Sequence, residues 1–133
     1  MIRYRDRSFG LTRKSVNALK HVERLGEIKK IIGYRYKARC KFESGFLPVM
    51  REAVKVFGEN GYAVFSGFCW GYGGEGPRGL HQLLLACKLH ETIANNVAFK
   101  QPRYFDVGID WEVEFEGNHV VTTTNYRPKN KSA

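Results

Sequence analysis

Between Ser66 and Leu80 the chain reads SGFCWGYGGEGPRGL, and the residue types there suit the recognition of an anion. Gly73, Gly74 and Gly76 stand where a strand would hand over to a helix, and Arg78 follows in what would be its first turn. Glycine lets backbone N–H groups approach a ligand closely, and the positive end of a helix dipole favours a phosphate placed there. Arg78 adds a charge-assisted bond worth about 1.5–3 kcal/mol. Trp70 and Tyr72 offer faces on which a base could stack. Further along, Arg103 is positioned to supply a second phosphate contact and Phe105 a further aromatic face.

The run Gly71-Tyr72-Gly73-Gly74-Glu75-Gly76 matches G-x-G-x-x-G by letter. As a dinucleotide fingerprint it fails on spacing, because the next candidate acid, Asp106, lies about thirty residues beyond Gly76 where roughly twenty is expected. No Gly-Lys-Ser/Thr follows, so the loop is not a P-loop. Catalysis has thin support: Glu75 and His81 flank Arg78 as an acid and a base for phosphodiester cleavage, but no nucleophile with a nearby base accompanies them. Cys87 and His90 form one C-x-x-H pair, and His21 and His119 add no ligand spacing, so neither a metal nor a cofactor is expected. A packed glycine turn, with Arg78 paired to Glu75, is the competing structural reading of the loop.

One domain is expected from 133 residues. Cys40, Cys69 and Cys87 are an odd number inside apolar patterns, which predicts reduced, buried thiols in the cytoplasm. MIRYRDR carries no apolar signal region, and no apolar run approaches the roughly 20 residues of a bilayer span, so no membrane association is expected. The net charge of +9 is uneven: residues 1–44 carry 13 Lys and Arg against 4 Asp and Glu, and residues 127–133 add three cations without an acid. Basic ends around a near-neutral body favour an anionic partner, either a polyanion or a small ligand.

The elements that must position these residues follow from periodicity. Residues 1–32 read as a basic N-terminal helical arm: the apolar stripe from Val16 to Ile31 drifts and meets Gly26, which suits two short helices or a helix entering an extended segment. Tyr34–Phe42 alternates, with Tyr34, Tyr36, Ala38, Cys40 and Phe42 expected inward and Arg35, Lys37, Arg39 and Lys41 outward. Phe46 to Phe57 reads as a helix, Tyr62 to Trp70 as a strand, and Pro77 to about Asn96 as one long amphipathic helix. Ile109 to Glu116 and His119 to Tyr126 read as a hairpin about Gly117-Asn118. The expected fold is α+β in two layers: a mainly antiparallel four-stranded sheet with helices on one face. Residues 33–127 form its ligand-binding domain, and 128–133 a disordered basic tail.

The cations of Tyr34–Phe42 have two uses. They suit phosphate contacts, so an RNA- or single-stranded-DNA-binding module built on the basic N-terminal region is one reading. Alternatively they lie beside Asp110, Glu112, Glu114 and Glu116 in a ladder of opposite charges, each pair contributing about 0.2–1 kcal/mol. In the first reading the aromatics of the strand, on the far face from the cations, belong to the core.

Tyr34–Ser44 (YRYKARCKFES), Phe57–Tyr62 (FGENGY), Gly71–Leu80 (GYGGEGPRGL) and Arg103–Gly108 (RYFDVG) together resemble the phage-encoded sponge proteins that block Thoeris antiviral defence. The likeness spans residues 33–127 and leaves 1–32 aside. It implies a non-enzymatic homo-oligomer in the host cytoplasm. Such a protein sequesters a small cyclic nucleotide signal, such as cyclic ADP-ribose, in pockets near subunit contacts.

Overall fold

β-Branched and aromatic residues recur through Ile28–Phe42 and Gly45–Gly58, the two longest strands of the protein. The computed structural model describes residues 1–8, 10–102, 104, 106–117 and 119–125. In chain order they form β1 (Ile2–Arg5), α1 (Thr12–Asn17), a 3-10 helix (Leu19–Leu25), β2 (Ile28–Phe42), β3 (Gly45–Gly58), β4 (Gly61–Phe65), α2 (Glu75–Ala86), α3 (Glu91–Phe99), β5 (Gly108–Glu116) and β6 (His119–Asn125). The class is α+β. The sheet, however, has six strands rather than four, in the order β1-β4-β3-β2-β5-β6. It is mixed: β1 runs parallel to β4, and the other four pairings are antiparallel.

Two expectations about elements are corrected. The segment Phe46–Phe57, read as a helix, is the body of β3: its apolar spacing fits both periods, and β2 offers a partner along its full length from Ile28↔Gly58 to Phe42↔Gly45. Local propensity yields to that pairing. The single long helix is two, because α2 closes with Lys88 N–H on the Leu85 carbonyl (2.9 Å) and Leu89 N–H on the Leu84 carbonyl (3.1 Å). Such a cap normally takes glycine at the left-handed position; here Lys88 occupies it at φ 69°, which hides the break from the sequence. His90 then caps α3, accepting from Thr92 N–H at 3.1 Å.

The first 32 residues are built into the same sheet and core. They supply β1, α1, the 3-10 helix and the start of β2, and bury Val22, Leu25 and Ile31. The break at Gly26 (φ 72°) leads helix into strand, as the drifting stripe suggests. The tail 128–133 lies outside the described residues. Among those described, no helix is long and apolar enough to cross a membrane.

All helices pack on one face of the sheet. Leu80, Leu83, Leu84 and Val97 meet Val54, Val56, Phe65, Trp111 and Val113 in one buried cluster. Gly33 belongs to this face because the Trp111 indole lies against it: a Cβ there would come 2.1 Å from Nε1. Beyond Tyr36↔Arg51, among the described residues, β2 and β3 pair only with each other, so Tyr36–Phe42 and Gly45–Arg51 form a two-stranded ribbon past the edge of the sheet. Phe42, Phe46 and Leu47 near its tip are about half exposed.

Candidate functional site

The glycine loop is spent on packing. Gly71 N–H donates to the Ala98 carbonyl of α3 (2.9 Å). A Cβ at Gly76 would come 2.2 Å from Cys69 Sγ, and one at Gly74 would come 2.5 Å from the Tyr72 ring. Tyr72 is exposed, but its ring folds over Gly74 and its hydroxyl lies 3.0 Å from Cys69 Sγ. Gly73 has open space around it. The cleft beside this loop, about 360 Å³, is lined by Thr12, Glu52, Tyr72, Glu75 and Gly76, with Arg51 as the single cation among the described residues. Two carboxylates make it a poor host for phosphate. Arg78 is exposed on α2 and lines neither this cleft nor those below.

Trp70 is 0% exposed, so it offers no stacking face. Its Nε1–H donates to Asp110 (2.9 Å), and its ring meets that of Trp111 edge-on at 5.7 Å. Arg103 and Phe105 lie outside the described residues. The imagined acid and base are kept apart: His81 Nε2 pairs with Glu91 of α3 at 3.1 Å, while Glu75 faces the loop cleft. Among the described residues no three of His, Cys, Asp and Glu gather where a metal could be held. Cys87 is buried, and loss of solvent pushes its thiol up to about 12, which makes it inert. Cys40 and Cys69 are only partly covered, contrary to expectation.

The largest correction concerns β2, whose faces are the reverse of those expected. Arg35 points at the helices and is 4% exposed, while Tyr34 and Tyr36 point away from them and are half-buried. A buried guanidinium needs partners, and Arg35 has two. Its Nε donates to Asp110 at 2.9 Å, and its Nη2 lies 3.0 Å from Glu52, too bent for a good hydrogen bond. Asp110 reaches inward through a β-bulge: Gly33 pairs with Trp111 and Tyr34 with Ile109, so Asp110 is the extra residue in β5. The ladder of opposite charges is therefore realised at Arg35, whereas Lys37, Arg39 and Lys41 run past the last β2–β5 pair at Arg35↔Gly108. The pair Ile31–Ile32 carried the missed signal, since either parity buries one isoleucine.

Reversal of β2 collects aromatics and cations on the sheet face that no described helix covers. Tyr34 and Tyr36, with ring centroids 5.8 Å apart, share it with Phe57 and Tyr62, 6.5 Å apart. The register puts Arg3 beside Tyr62, Arg5 beside Val64, Lys55 beside Ile32 and Arg51 beside Tyr36. Lys55 Nζ lies 4.0 Å over the Tyr62 ring and 4.9 Å over Phe57, and Lys30 Nζ lies 5.3 Å from the centre of the Phe57 ring. Burial raises the Tyr34 phenol, with Arg5 opposing, so it stays a neutral hydroxyl at physiological pH. A shallow apolar depression of about 440 Å³ runs from Ile32, Tyr34 and Phe57 to Val107 and Ile109.

At the ribbon end of this face lies a second cleft of about 540 Å³. The chain leaving β1 walls it with Arg5, Arg7 and Gly10, and the ribbon walls it with Tyr36, Arg39, Cys40 and Arg51. Asp6 and Ser66 line it too, and Asp6 is already saturated. It accepts from Ser15 Oγ, from Ser66 N–H and from Ser66 Oγ at 2.9 Å, tying β1 to α1 and to the end of β4.

No protein-family model matches this sequence, and comparison with curated proteins and with solved structures likewise finds no match.

Proposed function

We propose that the protein binds single-stranded nucleic acid across the open face of its sheet. The observation that carries this reading is the mixed face itself: four aromatic rings, Tyr34, Tyr36, Phe57 and Tyr62, interleaved with Arg3, Arg5, Lys30, Lys55 and Arg51. Stacking of a base on an aromatic ring contributes about 1–3 kcal/mol and tolerates any sequence. Lysines that now lie over rings would turn outward to phosphates as bases take their place. The basic N-terminal segment enters this reading as strands of the face rather than as a separate arm.

Fluorescence anisotropy with a labelled oligonucleotide of about twelve nucleotides tests it. Tyr34→Ala is expected to weaken binding by about 5- to 100-fold. With four to five phosphates neutralised, the slope of log K against log salt is expected near about −3. Absence of binding at about 50 mM salt, or an undiminished affinity in Tyr34→Ala with its fold intact, would refute it.

A second reading, sequestration of a small cyclic nucleotide by a homo-oligomer without turnover, is the one implied by the resemblance to the sponge proteins. The arginine-lined cleft of about 540 Å³ favours it, being large enough for a nucleotide. Incubation with cyclic nucleotides and cyclic ADP-ribose isomers, heat denaturation and analysis of the released ligand test it. Intact ligand supports sequestration, an altered product indicates an enzyme, and no thermal shift with any of them removes the reading.

A further inference from the structure

We infer that the cleft at the base of the ribbon is an end-reading site, which takes the terminal phosphomonoester of a strand lying on the open face. The inference rests on the single-strand reading above and adds a specificity to it. Arg5, Arg7, Arg39 and Arg51 line one cavity, and among the described residues none of the four has an acidic partner. Arg51 donates to Cys40 Sγ at 3.4 Å, a weak acceptor, and Arg39 lies 4.7 Å over the Phe46 ring. The one carboxylate among the described residues of the lining, Asp6, is 4% exposed and occupied by Ser15 and Ser66.

Among the described residues, the guanidiniums of Arg5, Arg7 and Arg51 against one engaged carboxylate leave an excess of positive charge and a surplus of forked donors, while Arg39 lines the cleft from the ribbon and holds its guanidinium over Phe46 on the ribbon's other face. A phosphodiester inside a strand brings a single charge. A terminal monoester brings about −1.5 to −2 and three acceptor oxygens, which bidentate guanidinium forks match. Geometry adds to charge. Tyr36, Arg5 and Arg51 belong to both the open face and the cleft, so a base stacked at Tyr36 directs its phosphate into the cavity. Walls on two sides, from Arg5, Asp6, Arg7 and Gly10 and from the ribbon, favour a strand that stops there over one that passes through.

The test uses one internally labelled oligonucleotide with a 5′-phosphate, with a 3′-phosphate, or with hydroxyls at both ends. One phosphorylated form is expected to bind about tenfold or more tightly than the hydroxyl form, and which one it is gives the strand polarity. The variant Arg7→Ala, which spares the open-face residues, is expected to cut the preference to about threefold or less and to leave the hydroxyl-ended affinity within about threefold. In a Cys69→Ser background, the preferred form is expected to slow alkylation of Cys40, which lines the cleft. Equal binding of all three forms, or a preference undiminished in Arg7→Ala, overturns the end-reading inference and leaves the open-face reading standing. Failure of all three to bind overturns both. Displacement by a cyclic dinucleotide as effectively as by a nucleoside monophosphate reassigns the cleft to the cyclic-nucleotide reading and overturns this one.

Discussion

Replacing Asp110 by alanine removes an acceptor shared by Arg35 Nε and Trp70 Nε1, both 2.9 Å from the same carboxylate oxygen. With Arg35 4% and Asp110 2% exposed, water cannot take its place. Breaking a buried ion pair from one side costs about 3–5 kcal/mol. Glu52, 3.0 Å from Arg35 Nη2 and 20% exposed, keeps part of the charge balanced, so the expected loss is near the lower end, about 3 kcal/mol. For a urea slope of about 2 kcal/mol/M the midpoint falls by about 1.5 M. Emission from Trp70 and Trp111, the only tryptophans and both 0% exposed, follows the transition. The double variant Arg35→Met/Asp110→Ala removes the charge that the single change strands. It is expected to be less destabilised than the two single changes added together, by about 1 kcal/mol or more. A midpoint shift below about 0.3 M, or strict additivity in the cycle, would refute the view that this pair holds β2 in its observed orientation.

Three further outcomes are expected. Gly33→Ala forces a Cβ to 2.1 Å from the buried Trp111 indole and should cost about 1–3 kcal/mol, read as a lower urea midpoint. Arg78→Ala should change oligonucleotide affinity less than about twofold, because Arg78 is exposed on α2 and lines neither cleft; a large loss by anisotropy would restore the glycine loop as the site. Burial lifts the Cys87 thiol from 9.0 to about 12. Above pH 9 the unfolded chain therefore releases a proton that the folded chain keeps. Stability is intact below pH 9 and falls by about 1 kcal/mol per pH unit towards pH 12, and comparison of urea midpoints with Cys87→Ala isolates this slope.

Much of the secondary structure was legible from local pattern. Tyr34–Phe42 alternates and is a strand; Ile109–Glu116 and His119–Asn125 pair as a hairpin about Gly117; Gly26 ends a helical stretch and admits β2. Errors arose where two periods fit or where a cap used an unusual residue. Phe46–Phe57 carries apolar spacing for both a helix and a strand, and Lys88 stands where glycine would have announced the end of α2. The loop Ser66–Leu80 drew notice for its glycines. Gly74 and Gly76 make their close approaches to Tyr72 and Cys69, and Gly67 and Gly79 make theirs to Ser15, Leu11, Thr12 and Phe68, the space a neighbouring group needs rather than the space of a ligand.

The amino-acid sequence by itself determined the class, the half-buried character of β2 and the excess of cations in its first third, because periodicity and composition are local properties. Which face of β2 turns inward was decided only by the tertiary structure. A period of two is indifferent to the choice between its faces until something binds one of them. What binds it here is Asp110, 75 positions further along, which a bulge in β5 aims at Arg35. Once that pair is made the tyrosines must face the other way, and residues that read as core become the half-buried platform of the candidate site.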